Sequence, residues 1–456
     1  VARSWALIGL AAAAALSGCA SAPPPGPRMS PTGIVYEAGT PPTETRYSQT
    51  ATLFLRQDRP ERALEIALEG VEADPGNPIH YFLAGVAAAR IQRYELADSM
   101  FRDAQRIYPA YELEVEPERE AAWGAAFNAG LERYGEGDIE GAIAKWRDAT
   151  IVFDLRPEAH RNLGSLLASE GRYEEAIAVY RAGLAGLERP FGTRVPTPQE
   201  LEERARAASD IEAALAELFM LTERFAEAEP LLRRQLERDP ENFDLRADLA
   251  AAVAGQGREA EASELYAALL SEEGLAGAEL FELGVGLFRA AEYRQAADAF
   301  GRLARLQPWS RDAWFNYANS LFAAGAWEEL AAQGARLLEL DPLGENARLI
   351  TARAQLELGD RESALRSLQA LDAVPAFLDG LRMQRSERET TVSGRIVAQA
   401  ADPGTPLSLA FTFYDAGGRL LGTQSLSTIV PPADAPMSFQ VRFPGTAAGY
   451  RYEVLD

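Results

Sequence analysis

Residues 277–342 read GAELFELGVGLFRAAEYRQAADAFGRLARLQPWSRDAWFNYANSLFAAGAWEELAAQGARLLELDP. Pro308 and Pro342 stand 34 residues apart in this stretch, as do Pro75 and Pro109 earlier, and Pro240 to Pro308 is twice that interval. A period of 34 is that of stacked helix–turn–helix units. One unit starts near Gly277 and carries Leu280, Leu283, Gly284, Leu287, Tyr293, Ala296, Phe300 and Leu303. The next starts at Arg311, with Trp314, Tyr317, Ala318, Leu321, Trp327 and Leu337 in the same register. A third copy, from about Pro78, has Tyr81, Ala84, Gly85, Tyr94, Ala97, Phe101 and Ala104. Small residues at the eighth and twentieth positions let the two helices of a unit cross closely. Large apolar residues fill the holes around them, and the closing proline stops the second helix.

This register resembles the tetratricopeptide repeat (TPR) family. About nine units follow from it, over residues 44–380. The first ends at Pro75 and the second at Pro109, and an acidic insert, Tyr111 to Glu120, precedes the third, which has Gly130, Ala142, Trp146 and Ala149. The fourth has Leu163, Gly164, Tyr173, Ala176 and Tyr180, and a proline-containing interruption, Arg189 to Pro198, then breaks the beat. The fifth has Leu215, Phe219, Ala228 and Leu232, the sixth Leu249, Ala250, Val253, Ala262 and Tyr266. A weaker ninth, with Ala352, Ala364, Leu368 and Leu371, reads as a terminal cap. One unit cannot bury its own apolar face, so the units must stack. The expected fold is mainly α, a helical-repeat superhelix followed by a small all-β domain.

At the amino terminus, Arg3 is followed by an apolar run from Trp5 to Leu16, ending Leu16-Ser17-Gly18-Cys19. A charged start, a short apolar segment and small residues before a cleavage point describe a secretory signal peptide over residues 1–19. The closing tetrapeptide resembles the bacterial lipobox, which implies lipidation of Cys19, the only cysteine in the chain. Ala20 after the cysteine, where Asp would retain a lipoprotein at the inner membrane, implies an outer-membrane anchor facing the periplasm. Residues 20–43, rich in Pro, Gly, Ser and Thr, read as a disordered tether.

After about Glu387 the helical pattern gives way to alternation. Candidate strands are Thr391–Ala398, Leu407–Tyr414, Leu420–Thr428, Ser438–Phe443 and Tyr450–Val454, with Asp415-Ala416-Gly417-Gly418 as a hairpin turn. They predict a small immunoglobulin-like β-sandwich over 387–456. Phe411-Thr412-Phe413-Tyr414-Asp415, with Gly418 and Gly422, resembles the FxLYD-type domain of bacterial envelope proteins.

A formal net charge of −23 makes duplex nucleic acid an unfavourable partner and favours basic segments. The two histidines, His80 and His160, lie in different units, and no phosphate loop, nucleophile elbow or metal-ligand spacing is present. No cofactor, metal or catalytic set is expected, and the chain reads as a binding protein rather than an enzyme. In the family resembled, the first helix of each unit lines the concave groove. Position five there is Phe82, Phe127, Phe281 and Phe315; position twelve is Tyr134, Phe288 and Phe322; Val285 and Asn319 lie between at position nine. Phe281, Val285, Phe288, Phe315, Asn319 and Phe322 are therefore expected on one surface, as an aromatic binding patch or as rings packed on neighbouring helices. Asn128, Asn162 and Asn316 share position six, an arrangement similar to the asparagine ladder of O-GlcNAc transferase repeats, which implies grip on an extended peptide backbone. An asparagine bonding its own helix is the other reading. Arg161 beside Asn162 resembles part of a carboxylate clamp whose lysines are absent.

The reading that follows is a lipid-anchored envelope scaffold that binds proteins or extended peptides and supports assembly of a complex. The alternative is an accessory lipoprotein of a cell-wall or polysaccharide enzyme, in which the same rings stack on glycan.

Overall fold

The computed structural model describes residues 28–190, 192–386 and 388–455. Cys19, the signal peptide and residues 20–27 of the expected tether lie outside the described residues. The chain divides into two compact units, residues 1–214 and 215–456.

Nine helix pairs form among the described residues, as the repeat count predicts. The first four are α1 (Arg46–Arg56) and α2 (Pro60–Ala73), α3 (Pro78–Arg90) and α4 (Tyr94–Ile107), α5 (Glu112–Gly135) and α6 (Ile139–Val152), and α7 (Pro157–Ser169) and α8 (Tyr173–Glu188). The fifth to seventh are α9 (Pro198–Leu221) and α10 (Phe225–Arg238), α11 (Phe243–Gly255) and α12 (Glu259–Leu270), and α13 (Gly277–Arg289) and α14 (Tyr293–Leu306). The last two are α15 (Arg311–Ala323) and α16 (Trp327–Leu340), and α17 (Glu345–Glu357) and α18 (Arg361–Asp372). The acidic insert of the third unit is helical: after a short 3-10 turn, Pro109–Tyr111, it lengthens α5 to 24 residues.

Every pair turns at one left-handed residue. These are Asp58, Gln92, Gly137, Gly171, Glu223, Gly257, Ala291, Gly325 and Gly359, and they recur at intervals of 34 except across the two interruptions. A single residue with positive φ reverses the chain within three positions, and glycine adopts it without the Cβ clash that other residues carry. Counted from each turn, the residue seven positions earlier is always Ala or Gly: Ala51, Gly85, Gly130, Gly164, Ala216, Ala250, Gly284, Ala318 and Ala352. Sixteen residues later, on the second helix, stand Phe101, Trp146, Tyr180, Tyr266 and Phe300 in five of the units. A Cβ placed on Gly85, Gly164 or Gly284 would lie 2.6 Å from the ring of Phe101, Tyr180 or Phe300. The ring fills the space the missing side chain leaves, and the two backbones close on it. Buried alanines flank these contacts at Ala63, Ala97, Ala142, Ala176, Ala228, Ala262, Ala296 and Ala364.

His80 and His160 are buried in this packing, His80 edge-on to Tyr47 and His160 against Gly183. Burial lowers the proton affinity of both, so each packs as a neutral ring.

Residues 28–43, expected as tether, are docked on the first repeats. Ser30 and Tyr36 are buried, the Thr40 amide donates to the Ile107 carbonyl at 3.0 Å, and Asn77 donates to the Thr43 carbonyl at 2.9 Å. The open carbonyl at the end of α4 supplies a partner that composition does not reveal.

The β-domain begins earlier than expected. β1 (Ala376–Arg385) precedes β2 (Glu389–Ala398), β3 (Pro406–Tyr414), β4 (Leu420–Ile429), β5 (Met437–Pro444) and β6 (Gly449–Leu455). A bulge between Asp379 and Arg382, with Gly380 at φ +62°, breaks the alternation of β1 and hides it from a two-residue periodicity. Two antiparallel three-stranded sheets form, in the orders β1-β2-β5 and β4-β3-β6. Leu409, Phe411 and Phe413 of β3 meet Phe439, Phe443, Tyr450 and Tyr452 between them. Asp415 closes the β3–β4 turn, accepting from the Gly417 and Arg419 amides at 3.0 and 2.8 Å.

This domain docks on the eighth and ninth repeats. Trp309 stacks on Tyr414 with ring centroids 4.8 Å apart. Buried Asp341 takes Arg311 Nε at 3.0 Å and Nη2 at 2.6 Å on one oxygen, and the Tyr452 hydroxyl at 2.5 Å on the other. Tyr452 in turn accepts the Leu343 amide at 3.0 Å. Burial opposes the Arg311 charge, but Asp341 and Asp312 outweigh it and raise its proton affinity.

The packing of α5 makes one substitution act in opposite directions six residues apart. Nothing lies within 4 Å of a Cβ on Gly124, whereas one on Gly130 falls within the indole of Trp146. Gly124→Ala should stabilise by about 0.5–1 kcal/mol through helix propensity. Gly130→Ala should destabilise by about 1–3 kcal/mol through overpacking, read by thermal or urea unfolding. Equal signs for the two would contradict this packing.

Candidate functional site

In the second compact unit, α13 and α15 carry the expected aromatic face. Phe281 is 44% exposed and touches Phe300 edge-on, with centroids 6.0 Å apart. The other three rings are half-buried and lean on neighbours. Phe288 meets Tyr293 at 5.1 Å, Phe322 meets Trp327 at 5.6 Å, and Phe315 lies 4.5 Å under the Arg311 guanidinium. Val285, Asn316 and Asn319 are half-buried between them. Among the described residues none of these four rings stacks on another of the four. The face is thus divided, with Phe281 as its open ring.

Phe281 and Phe315 line different cavities. Phe281 stands on a cleft of about 770 Å³ whose other walls are Ala276, Leu303, Leu306, Met383 and Ala448, together with Glu282, Asp312 and Arg385. Phe315, Arg311 and Asp341 line a smaller pocket of about 200 Å³ with Leu378 and Leu381 of β1. The strand that the sequence pattern hid therefore supplies a wall to each.

In the first compact unit, Phe127 stacks on Trp123 at 4.9 Å, and Phe82 on Tyr111 at 5.1 Å. Tyr134 is 53% exposed and tilts over Trp146. Asn128 is exposed and Asn162 half-buried. Arg161 pairs with Asp210 at 3.1 Å and lines a pocket of about 250 Å³ with Arg156, Arg194, Arg204 and Arg206. Its arginines are largely satisfied: Arg156 by Glu120, Arg194 by Glu200, and Arg204 by the carbonyls of Gly186 and Leu187. Glu116, Glu120, Glu158, Glu200 and Glu203 on the same walls balance the charge, so no net anion site forms.

One row escaped the sequence reading. Asp248, Glu282 and Asn316 occupy position six of the sixth, seventh and eighth repeats, 34 residues apart. The position that carries asparagine elsewhere thus carries two successive acids, the second of them next to Phe281 in sequence. A search for amides alone overlooks them. Burial raises the proton affinity of both carboxyls; Asp244 and Glu217 add to it at Asp248, and Asp248 and Asp244 at Glu282. Among the described residues no three His, Cys, Asp or Glu side chains converge to hold a metal ion.

Tetratricopeptide-repeat models match residues 49–112, 127–188 and 281–345, and a second model of that description matches 219–279. No curated protein matches the chain. Solved structures similar to it include MamA from Desulfovibrio magneticus RS-1, at 16% identity and TM-score 0.32, covering 40% of this chain and 93% of that one. MamA of MSR-1 gives 17% identity and TM-score 0.31 over 36% of this chain and 95% of its own. YrrB, described as a TPR protein with an unusual peptide-binding site, gives 17% and 0.28 over 50% and 91%. The models together match more than half of the residues, and the chain belongs to the tetratricopeptide-repeat family.

Proposed function

We propose that this protein is a non-catalytic scaffold of the bacterial envelope that binds a polypeptide segment on the first-helix face of its seventh and eighth repeats. The observation that carries the reading is the cleft at Phe281. It combines a large ring left open to solvent with about 770 Å³ of mainly apolar space, the kind of place where interface anchors seat. The leader sequence and Cys19 support an anchor in the outer membrane, with the repeats facing the periplasm. Assembly of an envelope complex is the role that suits a tethered binding surface. No observation favours glycan over polypeptide.

Two experiments test this. An array of short unstructured peptides probed with wild type and with Phe281→Ala should show about tenfold weaker binding for the variant, a loss of about 1.4 kcal/mol. Phe281 is 44% exposed and meets Phe300 edge-on, so the fold survives the change. Unchanged binding would remove the cleft from the account. Separately, the full precursor expressed in a bacterium with two membranes should partition with the outer membrane, and Cys19→Ser should release it. Membrane retention of that variant would refute the lipid anchor.

A further inference from the structure

We propose that the cleft selects a basic segment, seating an apolar side chain against Phe281 and an adjacent arginine or lysine against Asp248 and Glu282. This rests on the polypeptide-binding reading above and specifies the chemistry of the partner.

The apolar half of the site is the wall formed by Phe281, Leu303 and Leu306 on the repeats and by Met383 and Ala448 on the β-domain. Phe281 and Leu306, 44% and 53% exposed, remain uncovered.

The charge decides which segment. Glu282 follows Phe281 directly and lines the cleft, and Asp248 is its counterpart one repeat earlier. Asp244 acts on both, and Glu279 adds to the field at Glu282. Neither Asp248 nor Glu282 makes a hydrogen bond or ion pair with any described residue. Glu229 on α10, by contrast, takes both Arg233 and Arg258 at 2.7 Å. Of the other charges on the cleft, Asp312 is paired with Arg311 at 3.0 Å, and Arg385 keeps its charge while donating to the Ala448 carbonyl at 2.8 Å. Two neighbouring carboxylates left without a partner repel each other, and a cation between them removes that repulsion. No third ligand converges with them to hold a metal ion, among the described residues. A cation on a long flexible side chain meets the geometry, because its apolar stem can lie on Phe281 while the head reaches the carboxylates.

The test uses the full chain and three labelled peptides, titrated by fluorescence anisotropy. The first carries arginines and leucines spaced by glycine and serine. The second replaces arginine by glutamate, and the third replaces leucine by alanine. The first should bind at least about tenfold more tightly than either other, with a preference over the second that shrinks as salt rises. Asp248→Asn with Glu282→Gln should abolish that preference. These amides remove a repulsion, so the variant keeps its fold. Glu237→Gln, an exposed acid on α10, should leave the preference unchanged. Equal binding of the arginine and glutamate peptides, both weakened by Phe281→Ala, would overturn the charge selection and leave the polypeptide scaffold standing. A preference reduced as much by Glu237→Gln would make it a property of net charge and overturn the site. Failure of all three peptides to bind would defeat both readings.

Discussion

The second helix of a repeat can lie against the first only where the first offers glycine or alanine opposite the large side chain that arrives sixteen residues later. All nine repeats place a small residue there, and five of them set an aromatic ring opposite it, whereas Ala67 and Gly334 stand opposite in the first and eighth. The consequence reaches beyond stability. The contact is made by residues on the inner side of each pair, and the outward positions of the first helices pack less uniformly: Phe288 and Phe322 lean on Tyr293 and Trp327, whereas Phe281 is 44% exposed. Phe281 can stay open, and Asp248 and Glu282 can stay unpaired, because nothing in the pair requires them to be otherwise.

A stack of repeats ends in an apolar surface that some other element must cover. At the carboxyl-terminal end the β-sandwich contributes to that cover, through Trp309 on Tyr414 and through the buried Arg311–Asp341–Tyr452 network. A buried ion pair with a satisfied hydroxyl partner adds geometric specificity more than net stability. Arg311 and Asp341 therefore fix how the sheet sits on the eighth and ninth repeats. That placement gives the Phe281 cleft its second wall, with Met383 and Ala448 held opposite Leu303 and Leu306.

The repeat architecture was legible because it is written many times. The 34-residue beat, the small residue at position eight and the closing prolines recur, so one irregular unit does not obscure the rest. Strand β1 was not legible, since its bulge interrupts the alternation. The strap of residues 28–43 was also hidden, because Pro, Gly and Ser report flexibility and not the carbonyls that happen to lie in reach. For the site, the sequence placed Phe281, Phe288, Phe315 and Phe322 on the first helices but did not tell which would be covered by Tyr293, Arg311 or Trp327. Which ring remains open depends on neighbours supplied by the next helix and by the turn between repeats. The shared position of Asn128, Asn162 and Asn316 stands out in the sequence, while the acids at that position in the sixth and seventh repeats do not, because Asp and Glu are common on any exposed helix.

The account turns on where a basic, apolar segment binds, and hydrogen–deuterium exchange of the full chain with and without the arginine–leucine peptide addresses that directly. It predicts slowed exchange in α13, at the start of α15 and in the second half of β1 around Met383 and Arg385, with the first four repeats unchanged. Protection on the outer, second helices of the repeats, or confined to α5 and α7, would contradict it.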